Sequence, residues 1–149
     1  WTDSFSYSRW IDFSLIGEFM NIDFDLLLDQ AKSASEKAYA PYSGYKVGAA
    51  LLCSDGTVFT GCNVENASYS LTICAERNAV FQAVASGQRD FLALAIYVDG
   101  EVLFPPCGAC RQVLAEFNPN LHILYANRLG SILSDLDTLL PQAFTLSEI

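Results

Sequence analysis

Apolar residues recur at helical spacing through "DFDLLLDQAKSASEKAYA", residues 23 to 40, with Asp23 and Asp25 near the start and Pro41 at the end. This predicts a first helix that runs up to the proline. The pattern then changes. "KVGAALLC" and "TVFTGCN" flank Asp55-Gly56, a two-residue turn signal, and so predict a hairpin. Counting outward from that turn pairs Cys53 with Val58 and Cys62 with Ala49. "CAERNAVFQAVASG" predicts a helix ended by Gly87, and "FLALAIYVD" is a continuous apolar run, the mark of a strand buried on both faces. "CGACRQVLAEF" predicts a helix opened after Pro105-Pro106, "LHILYAN" another apolar strand, and "SILSDLDTLLPQAF" a short edge strand and a last helix. Hairpin, helix, strand, helix, strand in this order favours a three-layer α/β/α fold on a five-stranded mixed sheet.

Composition narrows the classes. The chain of 149 residues suits one domain, and with 52% hydrophobic and 17% charged residues it can fill a core and still leave apolar surface, which hints at an oligomer. A net charge of −9, with no Lys/Arg cluster, argues against nucleic acid or an anionic membrane as partner. The apolar runs are far shorter than the roughly 20 residues of a membrane span, so a cytoplasmic protein that acts on small molecules is expected. Residues 1–19 carry six aromatics without a period and end just before Met20. They read as a vector-derived or disordered leader, because Glu18-Phe19 is what a common cloning site encodes; residues 20–149 read as the single domain.

The chemistry sits in the five cysteines. Cys53 and Cys62 read as small core residues. Cys107 and Cys110 form C-x-x-C at a helix start, a spacing that serves redox chemistry, zinc binding or neither. Cys74, also at a helix start, adds a third soft ligand, and three thiolates leave one position of a tetrahedral zinc open, as catalytic sites require. The lone histidine, His122, lies in an apolar strand and reads as a packed residue rather than a fourth ligand.

Water on such a metal is acidified and needs a proton acceptor, for which Glu76 is the candidate. Residues two apart on a helix point about 200° from one another. Cys74 and Glu76 therefore converge only if Cys74 is the cap. Three thiolates on Zn²⁺ sum to −1, and Arg77 is placed to donate to ligand sulfur and offset that charge. In "GCNVENASYS", Asn63, Glu65 and Asn66 follow a strand; Asn with Glu makes a hydroxyl clamp, and the carboxylate would select a nucleoside over a nucleotide. An Asn-rich turn is the plain alternative.

Cys74-Ala75-Glu76, followed after 29 residues by "PCGACRQ", resembles the zinc nucleoside deaminases. "PYSGYKVGAAL", "GCNVENASYS" and "LLPQAF" in this order further resemble the small homotetrameric cytidine deaminases, over residues 20 to 147. The resemblance implies that Cys74, Cys107 and Cys110 ligate one zinc per subunit. It implies that Glu76 takes a proton from zinc-bound water and passes it to N3 of cytosine, hydroxide attacks C4, and Glu76 helps ammonia leave. It further implies that Asn63 and Glu65 bind ribose hydroxyl, the Ala75 N–H meets the base carbonyl, and Arg77 bonds the thiolates. Phe144 would reach into a neighbouring subunit's site to stack on the base, with Tyr69 near that interface. Tyr45 stands where relatives often carry phenylalanine beside the substrate.

The implied activity is hydrolytic deamination of cytidine and 2′-deoxycytidine in pyrimidine salvage. A deaminase of a cytosine-containing antibiotic nucleoside would share the zinc signature. A zinc-stabilised binding module would normally close its metal with four ligands, and a C-x-x-C redox protein has no use for Cys74, Glu76 or Asn63.

Overall fold

The computed structural model describes residues 22–146. The reading of residues 1–19 as a leader, and of Met20 as the natural start, lies outside them. The chain runs α1 (Phe24–Ser35), β1 (Val47–Cys53), β2 (Val58–Cys62), α2 (Ala75–Ala85), β3 (Phe91–Val98), α3 (Gly108–Ala115), β4 (His122–Ala126), β5 (Ser131–Asp135) and α4 (Leu136–Leu139). The sheet order is β2-β1-β3-β4-β5. Only β3 and β4 run parallel; β1 is antiparallel to both β2 and β3, and β5 to β4. This is the mixed five-stranded sheet of a three-layer α/β/α fold.

Alternation along the strands divides the core into two layers. Ala50, Ala93, Ala95, Leu124 and Ala126 face α1, where Phe24, Leu27 and Ala31 cover them. Ala49, Leu51, Leu94, Ile96 and Ile123 face the other way, onto Ala79, Val80 and Ala83 of α2 and Leu114 of α3. Strand β3 is buried on both faces, as its unbroken apolar run predicts. Among the described residues, no helix is long and apolar enough to cross a membrane.

Two glycines of the hairpin set how closely the layers approach. A Cβ at Gly48 would run into the Ala31 carbonyl and the Ser35 N–H of α1, and one at Gly61 into the Ala75 carbonyl and the Ala79 N–H of α2. Each helix therefore rests directly on strand backbone. The first turn of α2, which carries Glu76, is seated by Gly61.

Two local expectations need correction. Helix α1 ends at Ser35, well short of Pro41. Tyr39 is drawn instead into backbone pairing with the segment after β2, donating to the Asn63 carbonyl at 3.0 Å and accepting from the Glu65 N–H at 2.9 Å. Ala40, ahead of a proline, also disfavours helix. The hairpin register is shifted by one residue. Leu52 faces Val58 and Gly48 faces Cys62, because the turn takes three residues, with Gly56 in the left-handed region at φ +87°. The two thiols still do not face each other. Cys53 is buried, and burial pushes its thiol up to about 11.

Candidate active site

Helices α2 and α3 begin in the same unusual way. Cys74 and Cys107 are their N-caps, in extended conformation at φ −70°, ψ 156° and φ −65°, ψ 163°, and neither side chain caps a backbone N–H of its own helix. Cys110 is the third helical residue of α3. The three sulfurs lie within 4.8 Å of one another, with Cys74 and Cys107 3.8 Å apart. Because Cys74 stands outside the helical geometry, Glu76 two residues later can share its end of the helix. His122 lies half-buried on β4 and outside this cluster.

The electrostatics show what the cluster accommodates. Cys74 is pushed down to about 5 by the hydrogen bond from Cys110, with Arg77 helping against the cost of burial. Cys110 moves the opposite way, above the ordinary thiol range, because its proton is held against Cys74 and because it is buried. A thiolate at Cys74 is thus favoured while Cys110 keeps its proton. A soft divalent cation removes this conflict, and two helix N-termini add favourable dipoles for the thiolates. The donor set fits zinc, with three protein sulfurs and a fourth coordination position left to a non-protein group.

Glu76, 5% exposed, is the second helical residue of α2, and burial pushes its carboxyl up to about 7. The Cys74 charge acts in the same direction, and Arg77 opposes both. Arg77 donates from Nη2 to Cys74 Sγ at 3.6 Å and to the Thr72 carbonyl at 3.4 Å, while its buried Nε has no partner among the described residues.

A cavity of about 290 Å³ opens beside the cluster, lined on the α2 side by Cys74, Ala75 and Glu76, on the α3 side by Phe104, Pro105 and Cys107. Val47, Ile96 and Val98 supply apolar lining; Ser43, Asn63 and Thr72 supply polar lining. Ala75 is the first helical residue, so its N–H has no acceptor within the helix. Asn63 is buried and half committed: its Oδ1 accepts from the Val47 N–H at 2.8 Å and its Nδ2 donates to the Tyr45 carbonyl at 2.9 Å. One N–H and one lone pair remain.

The other residues singled out from sequence are placed differently. Glu65 does not line the cavity. Its carboxylate accepts from the Tyr42 N–H at 2.9 Å, the Ser43 N–H at 3.2 Å and the Ser43 hydroxyl, which together hold it below the usual carboxylate range. Ser43 reaches the cavity instead. Asn66 accepts from the Ser68 N–H at 2.9 Å and organises a turn. Tyr45 lines the cavity, whereas Tyr69, 71% exposed, packs edge-on against Tyr42 and is not part of the lining. Phe144 is 68% exposed, and its backbone is held at both ends by the Gln112 amide, at 2.7 and 3.3 Å.

Sequence reasoning passed over Ser43, Thr72 and Phe104. The signals were faint: a serine inside a Pro-to-Gly loop, and an aromatic just ahead of Pro-Pro. It also passed over Arg111, which steadies the Cys107 loop by donating to the Pro106 carbonyl at 2.6 Å and the Leu139 carbonyl at 2.8 Å.

A family model described as the cytidine and deoxycytidylate deaminase zinc-binding region matches residues 23–126. The chain belongs to this family. It is 48% identical over 130 residues to a cytidine deaminase of Sporosarcina psychrophila, covering 86% of this chain and 96% of that one. Among solved structures, a cytidine deaminase from Burkholderia pseudomallei superposes with a TM-score of 0.79 at 49% identity, covering 83% of this chain and all of that one. The Mycobacterium tuberculosis cytidine deaminase gives 0.74 at 43% identity, with 85% of this chain and all of that one covered. The family's zinc-binding region spans Cys74 and Cys107–Cys110, where the thiol cluster lies.

Proposed function

We propose that this chain hydrolyses cytidine and 2′-deoxycytidine to uridine and 2′-deoxyuridine with release of ammonia, in pyrimidine salvage. The observation that carries the reading is the juxtaposition of a three-thiol cluster and a buried carboxyl at one end of a nucleoside-sized cavity. Cys74, Cys107 and Cys110 hold the zinc. When bound, zinc acts as a Lewis acid that brings water into the range where it ionises near neutrality. Glu76, poised near 7 by burial, moves a proton to N3 of the cytosine ring and later to the departing amine. The Ala75 N–H donates to the C2 carbonyl. Arg77 draws charge from the Cys74 thiolate.

The remaining N–H and lone pair of Asn63 meet a ribose hydroxyl, with Ser43 beside it and Glu65 steadying Ser43 from behind. Among the described residues no Lys or Arg lines the cavity, which suits a nucleoside better than a nucleotide. The protein works in the cytoplasm as a homotetramer. Phe144 and Tyr69, exposed and outside the lining of their own cavity, act at the site of a neighbouring copy.

The test is loss of ultraviolet absorbance as zinc-loaded protein converts cytidine to uridine, run beside Glu76→Ala. Turnover that vanishes in the variant while zinc is retained is the expected result. Folded, zinc-loaded protein that leaves cytidine intact would overturn the reading. Shared sites have their own test in mixing inactive Phe144→Ala with inactive Glu76→Ala, since hybrids regain activity only if the two residues serve one site from different chains. A monomeric, fully active protein in light scattering would remove that part.

A further inference from the structure

The segment between β3 and α3 carries an aromatic ring that neither the metal ligands nor the proton shuttle accounts for. Phe104, 36% exposed, lines the cavity and sets its ring edge-on to Tyr45, with centroids 5.1 Å apart and planes at 85°. Only Pro105 and Pro106 separate it from Cys107. Both prolines have φ restricted to about −65°, so the ring is coupled stiffly to a cysteine of the thiol cluster.

The wall is anchored from both sides. Upstream, the buried Asn127 donates from Nδ2 to the Glu101 carbonyl at 2.8 Å, and Arg128 grips Asp99 at 2.8 Å. The Arg128 N–H also reaches the Gly100 carbonyl at 3.2 Å. In the loop ahead of β1, Tyr45 donates its N–H to Ser43 Oγ at 3.1 Å and accepts at its carbonyl from Asn63. Its ring lies over Gly100, where an added Cβ would come to 3.8 Å.

The chemistry of the base decides what this wall meets. A cytosine whose N3 faces Glu76 and whose C2 carbonyl faces the Ala75 N–H turns that edge toward α2. The C5–C6 edge is opposite, and so faces the α3 side of the cavity, lined by Phe104, Pro105 and Cys107. C5 is also bonded to C4, the carbon that reacts at the cluster. We propose that Phe104, backed by Tyr45, is the specificity-determining wall for position 5 of the pyrimidine, admitting hydrogen and rejecting methyl or larger groups. The proposal rests on the cytidine reading for the orientation of the base.

The experiment compares kcat/KM for cytidine and 5-methylcytidine in the wild type, Phe104→Ala and Phe104→Leu. The wild type is expected to favour cytidine by about tenfold or more, the scale of one methyl group in a close-fitting pocket. Phe104→Ala is expected to raise the 5-methylcytidine to cytidine ratio about tenfold, with Phe104→Leu in between. An unchanged ratio, with both substrates falling together, overturns the proposal.

Calorimetric binding of uridine and 5-methyluridine reads the same wall without turnover. A wild-type preference for uridine that is lost in Phe104→Ala supports the wall, and equal affinities in the wild type overturn it. Failure of the wild type to deaminate cytidine would count against the proposed reaction, and the binding ratio would still judge the wall.

Discussion

Helices α1 and α4 start with a side chain that serves the helix, and α2 and α3 with one that does not. Asp23 accepts from the Leu26 N–H at 3.0 Å and Asp135 from the Thr138 N–H at 2.7 Å. Cys74 and Cys107 occupy the same cap position, both in extended conformation, and their sulfurs lie 3.8 Å apart instead. The capped pair carries none of the candidate chemistry; the uncapped pair carries all three thiols and Glu76. A side-chain cap contributes about 1 kcal/mol, so the site is built where local helix stability has been forgone. The N–H of Ala75, first in α2 and without an acceptor inside the helix, is a donor available to a ligand.

The largest effect should come from giving α2 the cap that α1 has. Cys74→Ser keeps the shape, supplies a preferred capping oxygen and removes a thiolate. Zinc content and cytidine turnover are expected to fall to background. In chelator, the metal-free variant should be about 1 kcal/mol more stable to urea than the metal-free wild type. Full zinc and activity in Cys74→Ser would show that the two kinds of helix start do not divide structure from chemistry.

Next in size is Glu76→Gln, which keeps volume at a buried position and removes the titrating oxygen. A kcat lower by about 10²–10⁴-fold is expected, the range of general acid–base catalysis, with zinc stoichiometry unchanged. A drop in zinc of the same proportion would instead make Glu76 a support for the metal site.

What could be read from sequence follows the same division. The thiols and Glu76 were legible because short spacings at helix starts translate directly into neighbouring positions. Strand β3 was legible because burial on both faces leaves an unbroken apolar run. What escaped depends on partners far along the chain. Helix α1 stops at Ser35 because Tyr39 pairs with the segment after β2, and Glu65 is occupied by the Tyr42–Ser43 loop. Phe104 becomes a wall only when Tyr45 folds against it. The one-residue shift of the hairpin hangs on a positive φ at Gly56, which the Asp-Gly pair permits in either register.

The two glycines of the hairpin sharpen the comparison between the faces of the sheet. Gly48→Ala and Gly61→Ala each force a methyl group into helix backbone, and each is expected to cost about 1–3 kcal/mol. Their effects on chemistry should differ. Gly61 seats the turn of α2 that holds Glu76, so its variant should lose kcat even at temperatures where it is fully folded. Gly48 seats α1, and its folded fraction should keep the wild-type kcat. Equal losses of kcat in both would mean that the site senses the whole sheet rather than its own helix.

The smallest effect tests the ordinary side of the comparison. Asp23 caps α1 at an exposed position, on the face of the sheet opposite the thiols and the cavity. Asp23→Ala removes one acceptor from the first turn and should lower stability by about 1 kcal/mol, read as an earlier urea midpoint with unchanged slope. Zinc content, kcat and KM should stay at wild-type values, because nothing in α1 touches the cluster. Set beside Cys74→Ser, this gives two substitutions at equivalent cap positions with opposite signs: a cap lost with function intact, and a cap gained with function destroyed. A kcat change in Asp23→Ala would mean that α1 is coupled through the sheet to the α2 start, and that the division between the two kinds of helix start is one of degree.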